Sequence, residues 1–312
     1  MKKLVGALLF GALAATGPAK AGEIAVIVKT VNSTFWQNVQ KGAEAAIKAD
    51  GGGNTLTVQG PAAESAIADQ VNMVENAVNR GVAGIVLAPC DPDALVPAVK
   101  KAWEARIPVV VVDSALSPQA ERYYQSFLAT DNRKAGELAA ETLIARVGTE
   151  GRIAVMSYVA GVGSETGRVG GFIDYVKAHS KLGIVGPYYS QSQMATALNQ
   201  TTDVLAAHPD LKGIFGANEP TAVGMARALK QSGKADRIVA VGFDGNQDLQ
   251  GFVKDGTLAA IIVQGSFQMG ERGVATLSKI LRKQPVEKFI DTGTVRVTKD
   301  TIEQPEAKNV LY

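Results

Sequence analysis

Short unbroken apolar runs alternate with amphipathic stretches from residue 23 onward. The runs at 24–28, 55–58 and 84–88, and the four valines Val109–Val112, predict strands. The stretches at 35–49, 63–79 and 93–105 predict helices, the first with Phe35, Val39, Ala43, Ala46 and Ile47 along one side. The pattern then restarts. Strands are expected at 153–157, 184–188, 213–216, 238–241 and 259–263, with helices at 165–178, 193–207, 220–231, 246–253 and 268–282. Continuous apolar runs, rather than alternation, mark parallel strands covered on both faces. Strands alternating with helices give a parallel α/β sheet with right-handed crossovers. Two such series predict two similar α/β lobes, and the lack of a Pro/Ser-rich linker predicts that they are closely coupled.

Composition narrows the classes. With 46% hydrophobic residues, the 312-residue chain can bury a sizeable core, and its length suits two domains. A formal charge of +2 argues against a nucleic-acid surface. One cysteine, Cys90, excludes a disulfide framework, and two histidines leave little for a metal site. The first residues read as an address. Lys2 and Lys3 precede an apolar run from Leu4 to Ala15, and Ala19-Lys20-Ala21 is an A-x-A cleavage signal. The run is short for a membrane span. A secretory signal at 1–21, cleaved after Ala21, predicts a soluble periplasmic protein. Losing Lys2, Lys3 and Lys20 takes the formal charge from +2 to −1.

In open α/β sheets ligands bind beyond the carboxyl ends of the strands. The residues just past the apolar runs are therefore the candidates. They are Lys29, Ser33, Phe35 and Trp36 after the first strand, and Asp113 and Ser114 after the valines. Arg168 follows a glycine-rich loop, Asn218 follows 213–216, Asp244 follows 238–241 and Gln264 follows 259–263. Asp, Asn, Arg and Gln offer paired donors or acceptors that match adjacent hydroxyls. An aromatic face covers the C–H surface of a sugar ring. Lys29 and Arg168 balance Asp113 and Asp244, which favours a neutral polyhydroxylated ligand over an anion. Each residue also has a structural role open to it. Asp113 and Asp244 suit caps or Asx turns, Asn218 suits the cap of the helix that Pro220 opens, and Phe35 suits the core. The run Gly161 to Gly167 is a loose version of a dinucleotide loop. No Asp or Glu occurs between Asp174 and Asp203, where the ribose-binding acid belongs. Phosphate-loop, zinc-protease and G-x-S-x-G patterns are absent.

Taken together, several segments resemble the periplasmic sugar-binding proteins of the ribose/galactose/allose type that serve ABC transporters. They are the first strand with Lys29-Thr30 and Asn32-Ser33-Thr34-Phe35-Trp36, Val112-Asp113, Ala129-Thr130-Asp131-Asn132, Arg168-Val169-Gly170-Gly171-Phe172, Asn218, Val241-Gly242-Phe243-Asp244-Gly245 and 260–264. The likeness spans 23–298. It implies a type I periplasmic binding fold with three chain crossings near 128–131, 263–266 and 289–293. The lobes would be 22–129 plus 264–290 and 130–263 plus 291–312. It implies that Phe35 and Trp36 pack on a sugar ring while Asp113, Arg168, Asn218, Asp244 and Gln264 bind its hydroxyls. It also implies hinge closure read by an inner-membrane permease, a monomer, no cofactor and no catalytic residue.

Departures from the ribose pattern are Asp113-Ser114 for Asp-Arg and Ser33-Thr34-Phe35-Trp36 for Asn-Pro-Phe-Phe. The second-lobe stacking aromatic falls near Ser192 or Gln193; Tyr188 or Tyr189 is a candidate replacement, and Gln191 and Gln193 are candidate polar contacts. Lys29 with Phe35-Trp36 is closer to the allose branch. The expected ligand is a hexose, ketose or sugar alcohol rather than ribose. The alternatives are a chemoreceptor or quorum-signal binder of the same fold, or a periplasmic sugar-converting enzyme. A LacI-type repressor core would need a DNA-binding helix pair where the signal segment stands.

Overall fold

The computed structural model describes residues 22–312, so the signal segment and its cleavage point lie outside the described residues. The first half runs β1 (Glu23–Ile27), α1 (Thr34–Asp50), β2 (Thr55–Gln59), α2 (Ile67–Arg80), β3 (Gly84–Leu87), α3 (Val96–Glu104), β4 (Val109–Val112), a 3-10 turn (Pro118–Tyr123) and β5 (Ser126–Ala129). The second runs α4 (Asn132–Val147), β6 (Glu150–Ser157), α5 (Gly163–His179), β7 (Lys181–Tyr189), α6 (Met194–Ala207), β8 (Leu211–Gly216), α7 (Glu219–Gln231), β9 (Val239–Phe243), α8 (Gln247–Lys254) and β10 (Ala260–Gln264). The chain ends with α9 (Ser266–Leu281), β11 (Phe289–Asp291), β12 (Thr294–Val297) and α10 (Pro305–Lys308).

Two six-stranded sheets result, ordered β11-β5-β4-β3-β1-β2 and β12-β10-β9-β8-β6-β7. The first is parallel throughout; in the second only β12 runs antiparallel, against β10. The valine run shows why an unbroken apolar strand is needed. Val109 and Val111 face one core cluster, and Val110 and Val112 face another on the opposite side of the sheet. The chain passes between the sheets after β5, after β10 and between β11 and β12.

Each lobe uses the same helix device to position the site. In the first, α1 and α9 cross with backbones touching. A Cβ on Gly42 would lie 2.0 Å from the Phe267 carbonyl oxygen, and one on Gly270 1.8 Å from that of Val39. In the second, α4 and α5 cross through Gly136 and Gly171 in the same way. The crossings seat Phe35 and Trp36 on α1 and Arg168 on α5.

Some elements differ from the sequence pattern. The helices expected at 63–79 and 93–105 begin later, at Ile67 and Val96. The Asp91 carboxylate accepts the Asp93 and Ala94 amides, holding them in a turn outside the helix. The pattern also passed over β5, α4, β11 and β12. Helix α4 buries mainly Ala135, Gly136, Ala139 and Ala140, residues too small to draw a strong apolar stripe. The strands β11 and β12 lie at sheet edges and are only three and four residues long.

Candidate functional site

The carboxyl ends of the two parallel sheets face each other. Asp113 and Asp244 end equivalent strands, β4 and β9, and both hold left-handed backbone, with φ of 64° and 77°. Each donates its N–H to the next strand, Asp113 to Leu128 (2.9 Å) and Asp244 to Ile262 (2.8 Å). The Ser114 N–H turns back to the Val112 carbonyl at 2.7 Å, closing a three-residue turn on Asp113. Aspartate tolerates this region better than most residues, yet it costs about 1–3 kcal/mol and persists where surroundings over-determine it.

The first lobe supplies a buried ion pair and an aromatic shelf. The Lys29 ammonium is 2% exposed and lies 2.6 Å from Asp113 Oδ2. It also donates to Ser114 Oγ at 2.6 Å, and Ser114 in turn donates to Asp113 Oδ2 at 2.8 Å. Phe35 and Trp36 meet edge to face, 4.8 Å apart. Trp36 Nε1–H donates to Glu64 at 2.9 Å.

The second lobe supplies a buried guanidinium held by neutral acceptors. Arg168 donates to the Ala217 carbonyl (2.7 Å), to Asn132 Oδ1 (2.7 Å) and, at 3.4 Å, to Gln264 Oε1. Its Cζ lies 3.6 Å from the Phe243 ring centre, a cation–π contact. Gln264 donates to Asp244 Oδ1 (2.8 Å) and accepts from the Thr130 hydroxyl (3.0 Å). Thr130, Asn132 and Gln264 all lie at chain crossings, so the hinge is hydrogen-bonded to the site itself. Burial pushes the Asp244 carboxyl up to about 7; Arg168 pulls against this and Glu219 adds to it.

Nine of the ten candidate residues line one small cavity between the lobes, of about 20 Å³, room for about one water with the lobes in this position. Ser114 stands behind the wall, engaged with Lys29 and Asp113. Asn218 does two things. Its Oδ1 accepts the Thr221 N–H as the cap of α7, and its Nδ2 donates to Ser192. Five more residues line the cavity: Glu64, Tyr158, Ser164, Glu219 and Pro220. Tyr158, which also packs in a core cluster, is the second-lobe tyrosine on the cavity wall; Tyr188 packs on another cluster away from it, and the Ser192 hydroxyl donates to Glu64 at 2.7 Å. The strand-end rule reaches the missed residues too. Tyr158 directly follows β6, Glu219 lies three residues beyond β8 and Glu64 lies in the loop after β2.

The lobes are closed on each other. Lys29 reaches Ser164 (3.3 Å), and the Ser164 N–H reaches Ser114 Oγ (3.3 Å). Beside this seam, a Cβ on Gly163 would sit 2.9 Å from the Ala115 carbonyl oxygen of the opposite lobe. Gly163→Val is therefore expected to weaken ligand affinity by about 1–3 kcal/mol, the usual cost of overpacking, while leaving the ligand-free melting temperature nearly unchanged. Titration calorimetry beside a melting curve checks this; wild-type affinity would mean that closure does not bring these backbones together.

The pattern of the family described as periplasmic binding protein domain matches residues 24–285. The chain is 33% identical to the ribose import binding protein RbsB of Escherichia coli (strain K12), over 92% of this chain and 95% of that one. It is 28% identical to the D-allose-binding periplasmic protein of the same organism, over 93% and 97%. An ABC transporter solute-binding protein from Agrobacterium vitis, solved with bound D-fucose, is 78% identical with a TM-score of 0.92, covering 93% of this chain and 100% of that one. Another from Agrobacterium vitis, bound with α-D-tagatopyranose, is 28% identical with a TM-score of 0.88, covering 93% and 99%.

Proposed function

The chain belongs to the periplasmic binding protein family, and from that premise we propose that it captures one neutral pyranose-sized monosaccharide and presents it, lobes closed, to an ABC permease. The first candidate is D-fucose, which the 78% identical protein holds. Hexoses and ketoses such as those bound by other neighbours come next. Binding needs no covalent step: sugar hydroxyls bridge the lobes, and closure follows from contacts that only the closed form makes.

One observation carries this reading. Two aspartates, forced into left-handed backbone at equivalent strand ends, share a small cavity with Phe35 and Trp36 on one side and Tyr158 on the other. Asp113, Asp244, Gln264 and Arg168 offer the paired acceptors and donors that adjacent hydroxyls match, and Asn218 adds a capped amide. The charge count sharpens it. Lys29 and Arg168 face four carboxyl groups on the wall, those of Glu64, Asp113, Glu219 and Asp244. An anionic sugar would add like charge to a desolvated site, which costs several kcal/mol.

The test is calorimetry on refolded protein against D-fucose, D-galactose, D-allose, D-tagatose and D-ribose, with galacturonate and galactose 6-phosphate beside them. Binding of one or more neutral sugars, with the two anions silent, is expected. Tight binding of either anion would overturn the neutral-ligand reading.

A further inference from the structure

Glu219 stands outside the set of residues chosen for sugar hydroxyls. It opens α7 in the second lobe and is 4% exposed. Its backbone N–H donates to Asp244 Oδ2 at 2.8 Å. Its carboxylate, however, reaches across the cleft. Oε1 accepts the Ser33 hydroxyl and the Thr34 N–H, both at 3.1 Å. Thr34 is the first residue of α1, and Ser33, the residue in the cap position, makes no side-chain cap of its own. The exposed amide end of α1 is thus capped by a carboxylate of the opposite lobe. The remaining oxygen, Oε2, accepts the Tyr312 hydroxyl at 2.8 Å. The Tyr312 ring stands edge-on to Phe35, 6.5 Å between centres.

One residue therefore joins three parts of the site: the sugar-facing Asp244, the lobe closure, and the helical turn that carries Phe35 and Trp36. Burying a carboxylate is costly unless donors surround it. Glu219 has three side-chain acceptor bonds, two of them from the other lobe. Parting the lobes removes those two and returns both the carboxylate and the α1 amides to water. The contact belongs to the closed form alone.

We propose that Glu219 is a closure latch, a positioning residue that caps α1 across the cleft, and that Tyr312 holds it in that pose. The latch governs how long a bound sugar stays, not which sugar binds. The proposal rests on the sugar-binding reading above. Glu219→Ala removes the latch; Tyr312→Phe removes one hydroxyl and keeps the ring, so its fold is secure. Losing buried hydrogen bonds of this kind is expected to speed sugar dissociation about tenfold in Tyr312→Phe and up to about a hundredfold in Glu219→Ala. The order of preference among sugars stays as in wild type. The double variant is no faster than Glu219→Ala, because the hydroxyl acts through the carboxylate.

Stopped-flow dissociation measures the rates, and amide hydrogen exchange over residues 33–38 measures the cap. Sugar is expected to protect that segment in wild type and much less in Glu219→Ala. Wild-type dissociation rates together with wild-type protection in both variants would overturn the latch. A changed order of sugar preference would also overturn it, making Glu219 a direct ligand contact. If the wild type binds none of the sugars, the functional reading fails instead. The latch is then judged by exchange over 33–38 in protein whose lobes are held shut by a cross-link between cysteines introduced on the two rims of the cleft, where equal rates in the linked wild type and the linked Glu219→Ala would sink it.

Discussion

Asp113→Ala is expected to abolish measurable sugar binding and to destabilise the protein by about 3–5 kcal/mol, the usual result of removing one partner of a buried ion pair. Lys29 is the reason. Its ammonium is as deeply buried as any charge in the site, and its carboxylate partner is Asp113, 2.6 Å away. Ser114 and Ser164 still accept from it, but neither neutralises it. Urea unfolding reads the stability and calorimetry the affinity. A second substitution separates the two effects. Lys29→Met added to Asp113→Ala removes the stranded charge, so most of the stability returns while binding stays lost. A singly substituted Asp113→Ala protein as stable as wild type would show that water reaches Lys29 and that the pair contributes nothing.

Asp244→Asn, at the equivalent position of the other lobe, is expected to change the pH dependence of stability and to cost about 2–4 kcal/mol in sugar binding through lost charge-assisted hydrogen bonds. Burial lifts the Asp244 carboxyl to about 7, well above the ~3.9 of an unfolded aspartate. The folded protein therefore holds a proton that the unfolded chain has released between those values. Stability contributed by this group is complete below about pH 4 and is lost as pH rises through about 7, a fall of roughly 4 kcal/mol in all. The amide that replaces the carboxyl does not titrate, so the variant should lose that part of the slope. Glu165 and Glu219, also pushed up by burial, keep some of it. Unfolding midpoints at pH 5 and pH 8 in both proteins decide the matter. An unchanged slope would mean that Arg168 and the Gln264 amide keep Asp244 ionised throughout.

The contrast between the two aspartates was not legible in the sequence. Both follow apolar strands, and both look like acceptors for hydroxyls. Their environments differ because Lys29, just past β1, pairs directly with Asp113, whereas Arg168 is held by Asn132, Ala217 and Gln264 and reaches Asp244 only through space. Asn218 shows a second limit. A helix cap and a cavity wall read the same in one dimension, and the structure gives it both places. The sequence pointed to residues 188–193 for a second-lobe aromatic; Tyr158, just past β6, lines the cavity and also packs in a core cluster, whereas Tyr188, inside β7, packs on another cluster.

The sequence by itself determined the two α/β lobes and the strand ends that carry the site. Unbroken apolar runs must be covered on both faces, and polar residues that follow such runs emerge together at one edge of a parallel sheet. The tertiary structure alone decided which groups meet across the cleft. Glu64 finds Ser192 at a separation of 128 residues, and Glu219 finds Ser33 at 186. Periodicity reports which way a side chain faces within its own element. It carries nothing about the partner that a second lobe brings to it, and here that partner supplies the cap of α1 and the closure of the site.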